Sequence, residues 1–167
     1  MDFKKTFDRV IHCGIKYKLL ENNISGKFYT ILKDMYSKNE MSVKVGNVLT
    51  PSFSSLVGVR QGDVLSPNLF KLFINDLPPK FEPSPDAVDI NGRRIDCLMY
   101  ADDIIVLSNT KKGLQNRLDI LHTYCIDWCL DVNLSKTKVL IFNKPGKFLK
   151  ESFYLDKEAI ECVNKCK

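Results

Sequence analysis

The chain has 167 residues, 44% of them hydrophobic and 27% charged, with a formal net charge of +5. This is enough for one domain with a real core, and the balance excludes a disordered or fibrous chain. No apolar run approaches the roughly 18 residues of a membrane span, and the opening "MDFKKTFDRV" lacks the apolar stretch of a secretory signal. An intracellular, reducing compartment follows as the expectation, and the mild positive charge tilts toward an anionic partner.

In chain order, "TFDRVIHCGIKYKLLENN" places Phe7, Val10, Ile11, Ile15 and Leu19 at helical spacing. "SGKFYTILKDMYSKN" repeats the pattern with Phe28, Ile31, Leu32, Met35 and Tyr36. "MSVKVGN" and "SFSSLVGV" read as two strands around a turn. "SPNLFKLFINDL" predicts a helix with Ser66 as N-cap and Pro67 at its first position; it is apolar nearly all round, so it should be buried. "PPKFEPSPDAVDINGRR" is rich in turn formers, with a hairpin turn at Asn91–Gly92. Strand, tight turn and strand follow over Asp96–Tyr100, Ala101–Asp103 and Ile104–Leu107. "TKKGLQNRLDILHTYCIDWC" predicts an amphipathic helix with Leu114, Leu118, Leu121, Cys125 and Trp128 on one stripe. "KVLIF" is a strand, "NKPGK" a turn, and the tail adds a short hairpin.

With an insert from about Ile24 to Val57 set aside, the order is strand, helix, strand, strand, helix, strand. This α+β order is that of the ferredoxin-like split βαβ sheet. In it the first strand neighbours the central hairpin, so Asp2 is expected to approach Asp102 and Asp103.

The six cysteines include CxxxC pairs at Cys125/Cys129, with His122 in the same "HTYCIDWC", and at Cys162/Cys166; Cys13 and Cys97 lie elsewhere. Zinc prefers CxxC spacing, and CxxxC on a helix places two small apolar side chains on one face, so free thiols are expected. The adjacent acids of "LMYADDIIVL" pose a sharper question, because charge buried without a partner is costly. A bare Ala-Asp-Asp is compatible with a polar hairpin turn. Carboxylates gathered at the end of a sheet also suit hard divalent cations, and two such ions support in-line phosphoryl displacement.

Four motifs in order favour the second reading. "DFKKTFD" at Asp2–Asp8, "GVRQGDVLSP" at Gly58–Pro67, "YADD" at Tyr100–Asp103 and "VNLSKTKVLIF" from Val132 together resemble the reverse transcriptases of non-LTR (LINE-type) retrotransposons. Bacterial group II intron enzymes share "YADD" and a "QG…SP" motif, but the first and last motifs lean to the non-LTR type.

The resemblance implies a polymerase palm, an RNA template, a DNA primer, dNTP substrates and two Mg²⁺ ions, with Mn²⁺ as an alternative. It makes Asp2, Asp102 and Asp103 the metal-binding carboxylates. Phe7 becomes the bulky residue under the incoming sugar, where a ring would clash with a 2′-hydroxyl; it also suits a core position on the first helix. Arg60, Gln61 and Gly62 fall in the nucleotide pocket, Gly58 and Gly62 admit close backbone approach, and Tyr100 packs near the primer end. Lys136 or Lys138 matches a lysine that protonates departing pyrophosphate, and either also suits a solvated surface. Lys4, Lys5, Lys16, Lys18, Lys27 and Lys33 add charge along the first third, for phosphate contacts or simply a solvated face.

The family also implies segments outside 1–167: fingers before the first motif, a primer-holding hairpin, a thumb and the rest of a polyprotein. The chain therefore reads as a single partial reverse transcriptase domain, a palm with a fingers-like insert over 24–57. Asp2 beside a terminal amine is expected to bind metal weakly, so little polymerase activity is expected of this segment by itself. The competing reading is a non-catalytic, retrotransposon-derived remnant that binds nucleic acid or protein. In the family, copying at a nuclear target places the protein in the nucleus and cytoplasm.

Overall fold

The computed structural model describes residues 1–81, 85–143 and 151–165 as a mixed α+β fold with small sheets. The chain divides into two compact units, Phe7–Ile74 and Met1–Thr6 joined with Asn75–Lys167. The insert expected over 24–57 falls inside the first.

The first helix is α1 (Thr6–Arg9), and α2 (His12–Glu21) and α3 (Gly26–Ser37) follow within the Phe7–Ile74 unit. One continuous helix was expected where α1 and α2 stand. It breaks because Ile11 is extended, with φ −75° and ψ 130°, and bridges Val57 antiparallel. The Gly58 amide then donates to the Val10 carbonyl at 2.8 Å, satisfying it outside any helix. Ile15 and Leu19 of α2 are buried as the spacing required. So is Lys18, at 1% exposure, with its Nζ 3.1 Å from Glu21, which removes it from the expected solvated lysines. On α3, Leu32 and Tyr36 are buried, whereas Phe28 and Ile31 are about half exposed. Burial pushes the Tyr36 hydroxyl pKa up, and the nearby Asp63 charge adds to this.

The two strands expected next are four short ones: β1 (Glu40–Met41), β2 (Lys44–Val45), β3 (Val48–Leu49) and β4 (Phe53–Ser54). They nest as hairpins, β2 antiparallel to β3 and β1 antiparallel to β4. In α4 (Ser66–Ile74), Leu69, Phe70, Phe73 and Ile74 are buried, as its apolar composition demanded. It packs on α2 where Gly14 leaves room: a Cβ there would lie 2.6 Å from the Phe73 ring.

The second unit adds α5 (Leu77–Phe81), helical where turns were expected. Pro78 and Pro79 fall in its first turn, where a missing N–H costs no helical bond, and Leu77 and Phe81 are buried. β5 (Val88–Ile90) and β6 (Arg93–Ile95) turn at Asn91–Gly92, both at positive φ, as a tight hairpin turn requires. β7 (Cys97–Tyr100) and β8 (Asp103–Val106) form the next hairpin, with Tyr100 opposite Asp103. α6 (Lys111–Asp127) starts at Thr110, whose hydroxyl accepts the Gly113 amide at 2.9 Å. Leu118, Leu121 and Cys125 of its predicted stripe are buried.

β9 (Lys138–Leu140), β10 (Phe153–Leu155) and β11 (Glu158–Val163) make a sheet in the order β10-β11-β9, with β9 parallel to β11 and β10 antiparallel. The tail hairpin is thus present. The turn expected in "NKPGK" lies outside the described residues from 144 onward. Cys13, Cys125, Cys129 and Cys162 are free thiols, and Cys166 lies outside the described residues. Burial pushes the Cys125 thiol up to about 12, helped by Asp131, so it stays protonated and inert.

One buried ion pair fastens the β7–β8 hairpin to α6. Arg117 on α6, 2% exposed, meets Asp96, 7% exposed, immediately before β7. The Asp96 carbonyl accepts the Leu107 amide at 2.8 Å, closing the base of the same hairpin. Removing one partner strands a buried charge, so Arg117→Met is expected to cost about 3–5 kcal/mol in urea unfolding. The double variant Arg117→Met with Asp96→Leu, which leaves no lone charge, is expected to recover much of that loss.

Candidate active site

Main-chain pairing at Met1–Lys4 seats Asp2 between β8 and residues 131–133. The Met1 nitrogen donates to the Ile104 carbonyl at 2.8 Å, and the Ile104 amide returns a bond to the Met1 carbonyl at 3.1 Å. On its other side the segment meets residues 131–133. Phe3 bridges Val132, the Lys4 amide donates to the Asp131 carbonyl at 2.7 Å, and the Asn133 amide to the Asp2 carbonyl at 2.7 Å. The full first strand expected here is reduced to an isolated bridge, yet the segment still lies between β8 and 131–133. The amine whose charge was expected to disturb the site is engaged on Ile104.

The result is a gap too tight to admit a water molecule, bordered by residues that include Asp2, Phe3, Asp102, Ile104 and Val132. Asp2 and Asp102, from distant parts of the sequence, both border it. The Thr6 hydroxyl donates to Asp102 at 3.4 Å and also reaches the Phe3 carbonyl at 3.3 Å. Asp102 is half-buried in the turn after Ala101, which takes φ +53°, a left-handed conformation that costs a non-glycine residue about 1–2 kcal/mol. Asp103 opens β8, is exposed, and does not line the gap; Tyr100 opposite it is also exposed. Among the described residues, no three His, Cys, Asp or Glu side chains gather closely enough to hold a metal ion. The donor chemistry nevertheless fits a hard cation: Asp2 and Asp102 offer only oxygen, and Mg²⁺ commonly takes one or two carboxylates with water and substrate phosphates.

The two lysine candidates separate. Lys136 reaches Asp2, Nζ to Oδ2 at 3.1 Å, whereas Lys138 on β9 pairs with Glu161 of β11 at 2.6 Å, directly across the parallel register.

Within the Phe7–Ile74 unit, Phe7, Arg60, Gln61, Gly62, Asp63, Val64, Ser66 and Pro67 line an open cavity of about 470 Å³. All four nucleotide-pocket candidates of the first and second motifs therefore share one concavity. Phe7 also packs its ring on Phe70, centroids 5.6 Å apart, so it combines a core contact with a wall of the cavity. The Gln61 amide donates to Asp8 at 2.8 Å, and Arg60 reaches Asn39 at 3.4 Å.

Residues 1–151 match the family model described as reverse transcriptase (RNA-dependent DNA polymerase). The chain belongs to the reverse transcriptase family. It is 33% identical over 144 residues, 82% of its length, to a probable RNA-directed DNA polymerase from transposon BS of Drosophila melanogaster. It is 28% identical over 153 residues, 87% of its length, to the RNA-directed DNA polymerase from the mobile element jockey of the same organism. A Pol polyprotein from the retrotransposable element R2 of Nasonia vitripennis is 26% identical over 147 residues, 88% of the chain. These are non-LTR retrotransposon proteins, and the chain spans only 14–16% of their lengths.

In this reverse transcriptase segment, sequence reasoning missed Thr6, Asp8 and Asn133. Each lies inside a quoted motif, but its role is a side-chain contact to a residue distant in sequence, which spacing does not reveal. The glycines also differ in their work. Gly58 has φ +90°, and a Cβ there would lie 3.3 Å from the Asp8 carbonyl oxygen, so it serves close packing of its own backbone on Phe7–Asp8. Gly62 has φ +85° and open space around it, as a residue facing a cavity requires. Gly58→Ala is expected to cost about 1–3 kcal/mol through strain and displacement, and Gly62→Ala less, measured as the shift in urea midpoint.

Proposed function

We propose that this chain is the palm-bearing part, with some of the fingers, of a non-LTR retrotransposon RNA-directed DNA polymerase. It transfers nucleotides from dNTPs to a primer 3′-hydroxyl on an RNA template. The observation that carries this is that Asp2 and Asp102 border one tight gap, with Lys136 paired to Asp2, in a chain that bears all four motifs. The ferredoxin-like palm arrangement is part of the proposal, supported by the seating of Met1–Phe3 between β8 and residues 131–133.

Asp2, Asp102 and Asp103 would hold two Mg²⁺ ions, or Mn²⁺. When bound, such ions lower the pKa of the attacking hydroxyl and neutralise charge on the phosphates. The protein's own residues do the rest. Thr6 fixes the Asp102 carboxylate. Lys136 supplies a proton to departing pyrophosphate. The Phe7 ring excludes a 2′-hydroxyl, while Arg60, Gln61 and Gly62 form the wall that meets the nucleotide, and Tyr100, exposed beside Asp103, faces the primer end. The remaining polyprotein is the partner that supplies further fingers and thumb. No helix among the described residues is long and apolar enough to cross a membrane, and we place the protein in the nucleus and cytoplasm.

Little extension is expected of this segment by itself, so RNA-templated primer extension with dNTPs and Mg²⁺ by a longer polyprotein that carries it tests this. Asp102→Asn is expected to lower extension at least about a hundredfold, the scale of losing one preorganised charge-stabilising group; extension unaffected by that change would refute the catalytic reading. Phe7→Ala is expected to raise ribonucleotide incorporation relative to deoxyribonucleotide about tenfold, as expected when a steric wall of a binding pocket is removed.

A further inference from the structure

The Asp2 carboxylate is already engaged by cationic and amide donors. Its Oδ2 receives Lys136 Nζ at 3.1 Å and Asn133 Nδ2 at 3.4 Å. The approach of Lys136 is built into the backbone. The Lys136 and Thr137 amides both donate to the Asn133 carbonyl, at 3.1 and 2.9 Å, and the Ser135 hydroxyl donates to the Asn133 side chain at 2.7 Å. That turn is in turn fastened to Asp2 by the Asn133 amide at 2.7 Å. Lys138, two positions on, is committed to Glu161.

The ammonium and a divalent cation want the same carboxylate. Lys136 is 69% exposed while Asp2 is 19% exposed, so the lysine can swing into water at little cost while the carboxylate stays in place. An exposed partner of this kind contributes only a weak attraction. We propose that Lys136 is a built-in competitor for the metal at Asp2: its ammonium holds the carboxylate in the metal-free protein, lowers divalent-ion affinity, and is released when the ion binds. Asn133, a neutral donor, remains on the carboxylate. Release frees the Lys136 ammonium for proton donation only after the metal has loaded. This rests on the reading of Asp2 as a metal ligand.

Mn²⁺ affinity, measured on the full chain by the electron paramagnetic resonance signal of the free aqua ion, tests it without any need for activity. Lys136→Met is expected to tighten Mn²⁺ about two- to fivefold, the equivalent of a weak ion pair. Lys138→Met, which removes the same charge nearby, is expected to change affinity less. Asp2→Asn is expected to weaken Mn²⁺ binding, and Lys136→Met added to it is expected to have no further effect. Unchanged or weaker binding in Lys136→Met overturns the proposal. So does tightening that persists with Asp2→Asn, or that Lys138→Met reproduces in full. If Asp2→Asn weakens binding while Lys136→Met does nothing, only the competition fails. If Asp2→Asn leaves affinity unchanged, or no variant binds Mn²⁺, the metal reading of Asp2 falls with it. Circular dichroism on each variant separates these outcomes from unfolding.

Discussion

The candidate site depends on a few main-chain hydrogen bonds at the start of the chain. Met1 exchanges bonds with Ile104, and Asp2 and Lys4 are tied to Asn133 and Asp131. Main-chain N–H and C=O groups there need partners and find them in β8 and residues 131–133. The Lys136 ammonium meets Asp2, and the Thr6 hydroxyl meets Asp102.

Local signals in the sequence carried most of the elements. The Asn91–Gly92 turn, the α4 and α6 helices and the Tyr100–Asp103 hairpin were all legible, because turn chemistry and apolar period act over a few residues. The failures were of another kind. The break between α1 and α2 arises from Ile11 pairing with Val57, and the burial of Lys18 from its packing and its contact with Glu21. The helical α5 overrode a turn-rich composition because its prolines occupy positions where they do no harm. Period and propensity are blind to such long-range competition.

The site was legible as letters and only partly as geometry. Motif order placed Asp2, Asp102, Lys136 and the Phe7–Gln61–Gly62 set; in the structure Asp2 and Asp102 border one gap with Lys136 paired to Asp2, and Phe7, Arg60, Gln61 and Gly62 line one cavity. Asp102 lies half-buried in the turn, whereas Asp103 opens β8 and is exposed, with its neighbour Ile104 in the inward position. Lys136 reaches Asp2 from the turn before β9, whereas Lys138 pairs with Glu161 across β11, and a linear motif encodes neither partner.

The Met1–Ile104 and Asp2–Asn133 contacts close loops of 103 and 131 residues. Contacts of such long range must overcome the entropy of joining chain ends before they return any stability. The gap therefore has no local route to its shape. Helices and hairpins can form within their own neighbourhoods, whereas Asp2 and Asp102 come to border one gap only once Met1–Lys4 has found Ile104 and residues 131–133. Emerging in order, Asp2 would lack its main-chain partner until Asn133 had been added.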